Sequence, residues 1–538
     1  MTKVVNRVLL VLVSLLLTAC GGRRGTKEIV FLTTSDIHGR IYDVDYVDST
    51  KRSGSMLRVS TLLKELRNDN ENVIYVDVGD VISGAADSYF DKIKDNHNVS
   101  LPGLLLEKMG CAAFVPGNHE FDFGVPTLDR FLNGGTFPVV CANIVYEDYD
   151  ECFYQPYIII EEGNLRIAIV GFSTASINYK IPTELINGLK VKSIVESAKY
   201  WIPYIQENEQ PDLIIGLVHS GLRGGFVDDS IRENEVRLLA EQVAGFDAIF
   251  YGHDHIAHAS KILGCQGDSV LLMNPGCHLQ NVAVTKIQVT FEKRKVVSKT
   301  IEGNLVSLRD VEPDNELLNE ISDRRESYLS YLDSVMGYTS VDLVYDGTPF
   351  VQTTAMDYLH NVMKSSMSSE ITLILPVSGK NLKAGSFTPR DAVEFYPHEN
   401  TMITFMLSGK EIDLALEEGA KNYSFRTSKV IIAGGINYRV DLSKPINDRV
   451  QILSMADGTK FDNEKLYRVA MDSYLAYALD SPFINSFVGG RNELKTRMIK
   501  TTRSDLRYHT IIDHSLKQES GNQVAPIREG EWSVVNYD

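Results

Sequence analysis

The sequence is poor in the features that mark several protein classes. It holds 6 cysteines in 538 residues, too few for a disulfide-built scaffold, and none has zinc-ribbon spacing. Basic residues are outnumbered, 54 Lys and Arg against 71 Asp and Glu, for a net charge of −17. That excludes a broad basic field for gripping a nucleic-acid polymer. No internal apolar run reaches the length of a membrane-spanning helix, and no internal repeat is evident. What remains is ordinary globular material, 43% hydrophobic and 23% charged. At this length it suffices for two or three cores, and it is not the composition of a disordered chain. No obligate protein partner is inferred.

The N-terminus has the marks of a processing segment. Lys3 and Arg7 precede the apolar run Val8 to Leu17, and Leu17-Thr18-Ala19-Cys20 follows. A basic start, a short apolar core and small residues at the cut describe a secretory signal. The cysteine directly after them resembles a bacterial lipoprotein signal. This resemblance implies loss of residues 1–19, lipidation of Cys20 and a tether over 20–27. It implies a protein of the bacterial cell envelope, periplasmic or at the cell surface, whose membrane contact is the lipid anchor. Such a compartment permits disulfides. Cys265 and Cys277 flank a predicted strand, Ser269 to Met273, and either pair or stay free thiols.

From Glu28 to about Ile301, short apolar runs alternate with helical stretches. Ile29–Thr33, Val73–Val78, Ala112–Val115, Pro138–Ala142, Leu165–Gly171, Leu213–Val218 and Ala248–Tyr251 are rich in Val, Ile and Phe. They predict buried strands of an α/β domain over 28–305, with helices at Met56 to Arg67 and Ser230 to Val243. Val311 to Met336 is polar with helical spacing and predicts a linker helix, within 306–336. A second α/β unit is expected over 337–515. Its predicted helices are Thr353 to Met367 and Gly409 to Ala420; its predicted strands include Ile371–Leu375, Met402–Leu407 and Asn437–Leu442. The tail, 516–538, is polar and expected to be loosely held.

Five polar motifs follow predicted strands of the first domain: Asp36-Ile37-His38, Gly79-Asp80, Gly117-Asn118-His119-Glu120, His219-Ser220-Gly221 and Gly252-His253-Asp254-His255. Ligands of open α/β sheets bind beyond the carboxyl ends of the strands, so the five motifs can converge on one surface. They hold five of the chain's 12 histidines. Asp with neutral His suits Zn, Mn, Fe or Co better than Mg or Ca, which prefer oxygen cages. A single Asp can serve two cations, and Asp80 is the natural candidate. Two divalent metal ions activate water and neutralise the attacking and leaving oxygens of a phosphate ester. Ser220 beside His219 lacks the base and orienter of a serine hydrolase.

This ordered set resembles the calcineurin-like metallophosphoesterase superfamily. More narrowly, the chain from about Glu28 to about Lys500 resembles the bacterial secreted 5′-nucleotidase family, which includes UDP-sugar hydrolases and 2′,3′-cyclic-nucleotide phosphodiesterases. The resemblance implies an α/β fold: a metallophosphoesterase domain of two packed mixed sheets flanked by helices, then an α/β substrate-binding domain. It implies one metal held by Asp36, His38, Asp80 and His255, and another by Asp80, Asn118, His219 and His253. His119 would contact phosphate and steady the leaving oxygen, oriented by Asp122. Arg40, two residues beyond His38, is a candidate phosphate contact. The implied activity is hydrolysis of a nucleoside 5′-phosphate. The alternatives are a 2′,3′-cyclic-nucleotide 2′-phosphodiesterase/3′-nucleotidase, a UDP-sugar hydrolase, or a nucleotide-binding envelope lipoprotein without catalysis.

The family's base pocket is less well matched. Gly434 to Leu442 and Ser408 to Ile412 resemble its second domain. Its Asn-Gly-Gly-X-X-Arg is replaced near Pro376 to Asn381, where Lys380 is the candidate cation. Tyr474 is the candidate for one stacking ring. Where the other is expected stand Val430 to Ala433, with Phe425 a candidate from the preceding loop. Tyr42 to Tyr46 resembles the cyclic-phosphodiesterase branch; Glu120 to Gly124 resembles the 5′-nucleotidase branch.

Overall fold

The computed structural model describes residues 25–536 apart from 94–98, 187, 228–231, 293–294, 426–428, 479–480 and 488–489. The expected signal segment and Cys20 lie outside the described residues.

Two large sheets build the first domain, beside a small pair Ile144–Tyr146 and Leu189–Val191. One runs Lys295–Ser307, Asn281–Glu292, Gly25–Thr34, Val73–Asp77, Cys111–Phe114, and its last three strands are parallel. The other runs His258–Leu263, Ser269–Asn274, Ala248–Tyr251, Leu213–His219, Leu165–Ser173, Tyr157–Glu162, with a parallel centre. The strand Leu213–His219 shows how period-two geometry makes the layers. Leu213, Ile215 and Leu217 join the core between the sheets. Ile214 and Val218 join the outer core, with residues of the helices Ile194–Asn208 and Val236–Gln242. Phe31 and Phe250 meet across the sheets, ring centres 5.4 Å apart. Every parallel strand that feeds a motif ends on the same side of this stack.

The second domain holds a five-stranded sheet ordered Ile432–Gly434, Ile371–Ile374, Leu466–Asp472, Thr401–Ser408, Met498–Asp505. The helix Gly409–Lys421 starts where Ser408 and Glu411 close a capping box, satisfying backbone donors that the first turn leaves open. Helices Thr354–Met367 and Leu506–Glu519 pack beside this sheet.

Several expectations need correction. The linker is two helices, Asn315–Glu320 and Ser322–Leu332, broken at Ile321. Its Leu317, Ile321, Tyr328 and Leu332 are buried in the first domain's core. Pro138–Ala142 is no strand; it makes only isolated bridges at Val139 and Val140. The helix expected from Ser230 spans only Val236–Gln242. Gly25 and Thr26 are not tether: they pair with Phe291 and Thr290. The tail is not loose. Trp532–Val535 adds a parallel strand to Ile436–Asp441, and Trp532 and Val534 are buried with Ser533 outward. Cys265 and Cys277 are both free thiols.

The domains meet at a buried cation. Arg507 is 1% exposed and pairs with Glu399 at 2.8 Å and Asp505 at 2.9 Å, all from the second domain. From the first domain, Tyr89 offers its ring face to Arg507 at 4.3 Å and its hydroxyl to Asp505 at 2.9 Å. Gly84 N donates to Glu399 at 3.0 Å. Arg507→Met would strand two buried carboxylates. The expected loss is about 3–5 kcal/mol, the usual result of breaking a buried pair from one side, read from the denaturant midpoint.

Candidate metal centre

The motifs emerge from their strands in an unusual backbone state. Asp36, His38, Asp80, His253 and His255 have φ of 51°, 50°, 58°, 80° and 60°. The left-handed region costs a non-glycine residue roughly 1–2 kcal/mol, and five such residues at one place are strain held by their surroundings. The holding bonds are visible. Asp36 N donates to Gly79 O and His38 N to Asp80 O, each at 2.9 Å. His253 N donates to Asp36 Oδ2 at 3.0 Å. At Gly117, a Cβ would fall 2.2 Å from Asp80 Oδ1 and 2.6 Å from His219 Cε1, so only glycine fits.

Two ligand groups result. Asp36, His38, Asp80 and His255 present donor atoms that all lie within 4.8 Å of one another, and so do Asp80, His219 and His253. Asp80 belongs to both. Its Oδ1 accepts from His119 N at 2.8 Å, while its Oδ2 lies 3.2 Å from His219 Nε2 and 4.0 Å from His38 Nε2. His38 Nε2 and His255 Nε2 are 3.0 Å apart. The imidazoles are oriented from behind: His38 Nδ1 by Ser83 O at 2.9 Å, His219 Nδ1 by Val78 O at 2.6 Å, His253 Nε2 by Glu233 at 3.0 Å. Such bonds fix the tautomer and leave the opposite nitrogen for a ligand.

The donor set fits a pair of cations. Asn118 Oδ1 is buried and makes no hydrogen bond, and the buried Asp80 Oδ2 and His219 Nε2 have no well-aligned partner beyond each other at 3.2 Å; buried polar atoms are otherwise expected to be satisfied. Burial pushes the His38 and His253 pKa values down to about 4, so both stand neutral with lone pairs available. His219 loses solvation too, but Asp80 outweighs that and raises it to about 9. The hydrogen bond to Asp36 raises His255 to about 10. In the bare protein these protons offset the carboxylates, as a cation would.

His119 follows Asn118 on a short turn, and its Nδ1 donates to Asp122 Oδ2 at 2.7 Å. Loss of water around the ring lowers its pKa, but Asp122 and Asp80 reverse this and lift it to about 9. Its side chain is 41% accessible. Asn118, His119 and Asp122 line a cavity of about 420 Å³ between the domains, with Tyr474 on the far wall.

The other substrate candidates fare differently. Lys380 is not among the described lining residues; it pairs with Glu394 at 2.7 Å. Arg40 is also not among them, and its pKa is lowered by burial and by Arg52. Val430 to Ala433 are buried. The side chain of Phe425 lies outside the described residues. Three residues escaped the sequence reading. Glu120 is fully buried and accepts from Asp80 N, Val81 N and Gly117 N at 2.8, 2.7 and 2.6 Å, pinning the two central loops together. Glu233 holds His253 and Lys180, and Lys180 lines the cavity. Only Glu120 carried a signal, as the last residue of Gly-Asn-His-Glu.

Comparison with known proteins agrees with this geometry. Residues 29–257 match the calcineurin-like phosphoesterase model and residues 335–486 match the 5′-nucleotidase C-terminal domain model. The chain belongs to the calcineurin-like metallophosphoesterases that carry a 5′-nucleotidase C-terminal domain, and it is a phosphoesterase hydrolase. Its relatives divide by substrate. A 2′,3′-cyclic-nucleotide 2′-phosphodiesterase/3′-nucleotidase of Yersinia enterocolitica is 24% identical over 97% of this chain and 90% of its own. A 5′-nucleotidase of Diplobatis ommata is 25% identical over 86% of this chain and 85% of its own. The solved 5′-nucleotidase precursor of Thermus thermophilus superposes with a TM-score of 0.59 at 21% identity, covering 95% of this chain and 100% of that one.

Glu120→Gln would turn an acceptor toward three backbone donors into a partial donor. Affinity for Mn²⁺ is expected to fall about 10–100-fold, the usual cost of losing an outer-shell partner, measured by calorimetry on the metal-free protein.

Proposed function

We propose that the protein hydrolyses phosphate esters of nucleotides, most simply a nucleoside 5′-phosphate to nucleoside and phosphate. The observation that carries this reading is the pair of ligand groups sharing Asp80, with the His119–Asp122 pair beside them on the rim of an interdomain cavity. Asp36, His38, Asp80 and His255 would hold one divalent cation; Asp80, Asn118, His219 and His253 would hold the other. Bound there, the two cations supply an acidified water and neutralise charge on the phosphoryl oxygens. The mix of imidazole, amide and carboxylate donors favours Zn, Mn, Fe or Co.

The chain's own residues supply the rest. Asp122 fixes the tautomer and direction of His119 and keeps its Nε2 protonated near neutral pH. That nitrogen, open to the cavity, donates to the ester oxygen as it departs. Glu233 and Val78 O keep His253 and His219 turned inward. No nucleophilic side chain is required.

A 2′,3′-cyclic-nucleotide substrate is the second reading, favoured by the Yersinia relative that spans nearly the whole chain and by the Tyr42 to Tyr46 segment. We further propose that Cys20 carries a lipid and anchors the enzyme to a bacterial envelope, facing out of the cytoplasm.

The test is phosphate release by the chain from residue 20 onward with Cys20→Ser, given Mn²⁺ and 5′-AMP, 3′-AMP, 2′,3′-cyclic AMP or UDP-glucose. Turnover of one nucleotide is expected, abolished by EDTA. His119→Ala should lower kcat about 10²–10⁴-fold, the range of general-acid contributions. EDTA-resistant turnover would refute the metal mechanism.

A further inference from the structure

We propose, building on the lipid-anchor reading, that the first domain stands on the bilayer by the end opposite its metal centre. Leu263 and Val297 would meet the lipid headgroups, with the candidate metal centre held about 30 Å above them.

The path of the chain sets this geometry. The strand Gly25–Thr34 is ten residues long, and a strand rises about 3.3 Å per residue. Its carboxyl end leads into Asp36, so Gly25 lies about 30 Å from the ligand groups. Only Gly21 to Arg24 stand between Cys20 and Gly25. Fully extended, the five steps from Cys20 to Gly25 span at most about 18 Å. A lipid on Cys20 therefore keeps this end of the domain near the membrane surface.

Register identifies what else lies at this end. Lys27, Val289 and Lys299 stand in one row across three strands. Lys299 pairs with Asp247 at 2.8 Å, and Asp247 O accepts from Leu271 N, which carries the row into the second sheet. Two residues farther from the metal centre stand Gly25, Phe291, Val297 and Ser269, and Ser269 pairs with Leu263. Leu263 is 69% exposed and Val297 49%. Single exposed apolar residues are ordinary on a protein surface; these two share the end at which the chain would be anchored. Their contact with lipid removes apolar area from water.

Charge favours the same face. The chain carries a net charge of −17, and anionic lipids repel a surface of that sign. At this end acids are matched by cations: Glu162 by Lys27, Glu28 by Lys286, Asp247 by Lys299, and Glu161 and Glu209 by Arg166. Approach by this end costs less repulsion than approach by an unmatched acidic surface.

The test uses the full chain, expressed with its lipid and placed in vesicles of phosphatidylethanolamine and phosphatidylglycerol. Cys265, in the turn between Leu263 and Ser269, is an exposed free thiol and takes an environment-sensitive dye, with Cys152→Ser and Cys277→Ser to prevent labelling elsewhere. A second sample adds Cys265→Ser and carries the dye at Ile256→Cys, a 63% exposed position next to His255 at the metal-centre end. A lipid spin-labelled at its headgroup should quench the dye at Cys265 about threefold more than the dye at Ile256→Cys. Leu263→Asp with Val297→Asp should lower that ratio by about half, and Leu263→Ser with Val297→Ser should move it the same way. A ratio unchanged in both pairs would overturn the seat at these two residues. Equal quenching at the two dye positions, in protein whose Cys20 carries lipid by mass spectrometry, would overturn the orientation and leave the anchor standing. A Cys20 without lipid would overturn both.

Discussion

The centre of the molecule is an electrostatic obligation at Asp80. A carboxylate with no exposure to water is costly unless opposite charge or hydrogen bonds surround it. Around Asp80 stand His219, His119 and His38, and they outweigh the burial that would otherwise protonate it, keeping its pKa well below the usual carboxylate range. Asp36 is held ionised in the same way, chiefly by His255. The arrangement draws in every motif: one oxygen of Asp80 is tied to the backbone of His119, the other faces both ligand groups. Left-handed backbone at five ligand residues is the geometric expression of this crowding. Parallel strands ending on one side bring these loops together, and Glu120 keeps two of them from moving apart.

The sheets explain why such strain is tolerable. Strain of a few kcal/mol persists only where packing over-determines the backbone. The strands behind the site are almost wholly buried: the last six residues of Gly25–Thr34, all seven of Leu213–His219 and all four of Ala248–Tyr251. The loops are short extensions of that rigid frame. The second domain adds its own constraint from the opposite side, with Glu399 reaching the backbone of Gly84, next to the Ser83 carbonyl that orients His38.

The candidate metal centre was legible because its chemistry is written in residue types at fixed places after apolar runs. Asp36, His38, Asp80, His219, His253 and His255 need no knowledge of distant partners to stand out. Glu233 was illegible for the opposite reason: its value comes from the fold bringing it 3.0 Å from His253, 20 residues away, and an isolated Glu carries no mark of this. Lys380 is not among the described residues that line the cavity and pairs with Glu394, a neighbour only the fold reveals. The polar character of the last twenty residues hid the alternation of Trp532, Ser533 and Val534, which is a strand signal too short to weigh by composition.

The charges at the domain boundary are distributed unevenly. Arg507, Asp505 and Glu399 all belong to the second domain and neutralise one another there. The first domain contributes only a phenol and one backbone donor to this cluster. Were the domains to separate here, no ion of this cluster would lose its counter-ion. At this cluster the loss would be two hydrogen bonds and a ring face, each worth about 0.5–3 kcal/mol and partly returned by water; elsewhere on the boundary Arg390 holds Tyr46 O and Val47 O, and Lys495 holds Asn178 O. A cluster of this kind balances its charges within one domain, so at this point the boundary is drawn by hydrogen bonds and a ring contact rather than by shared charge.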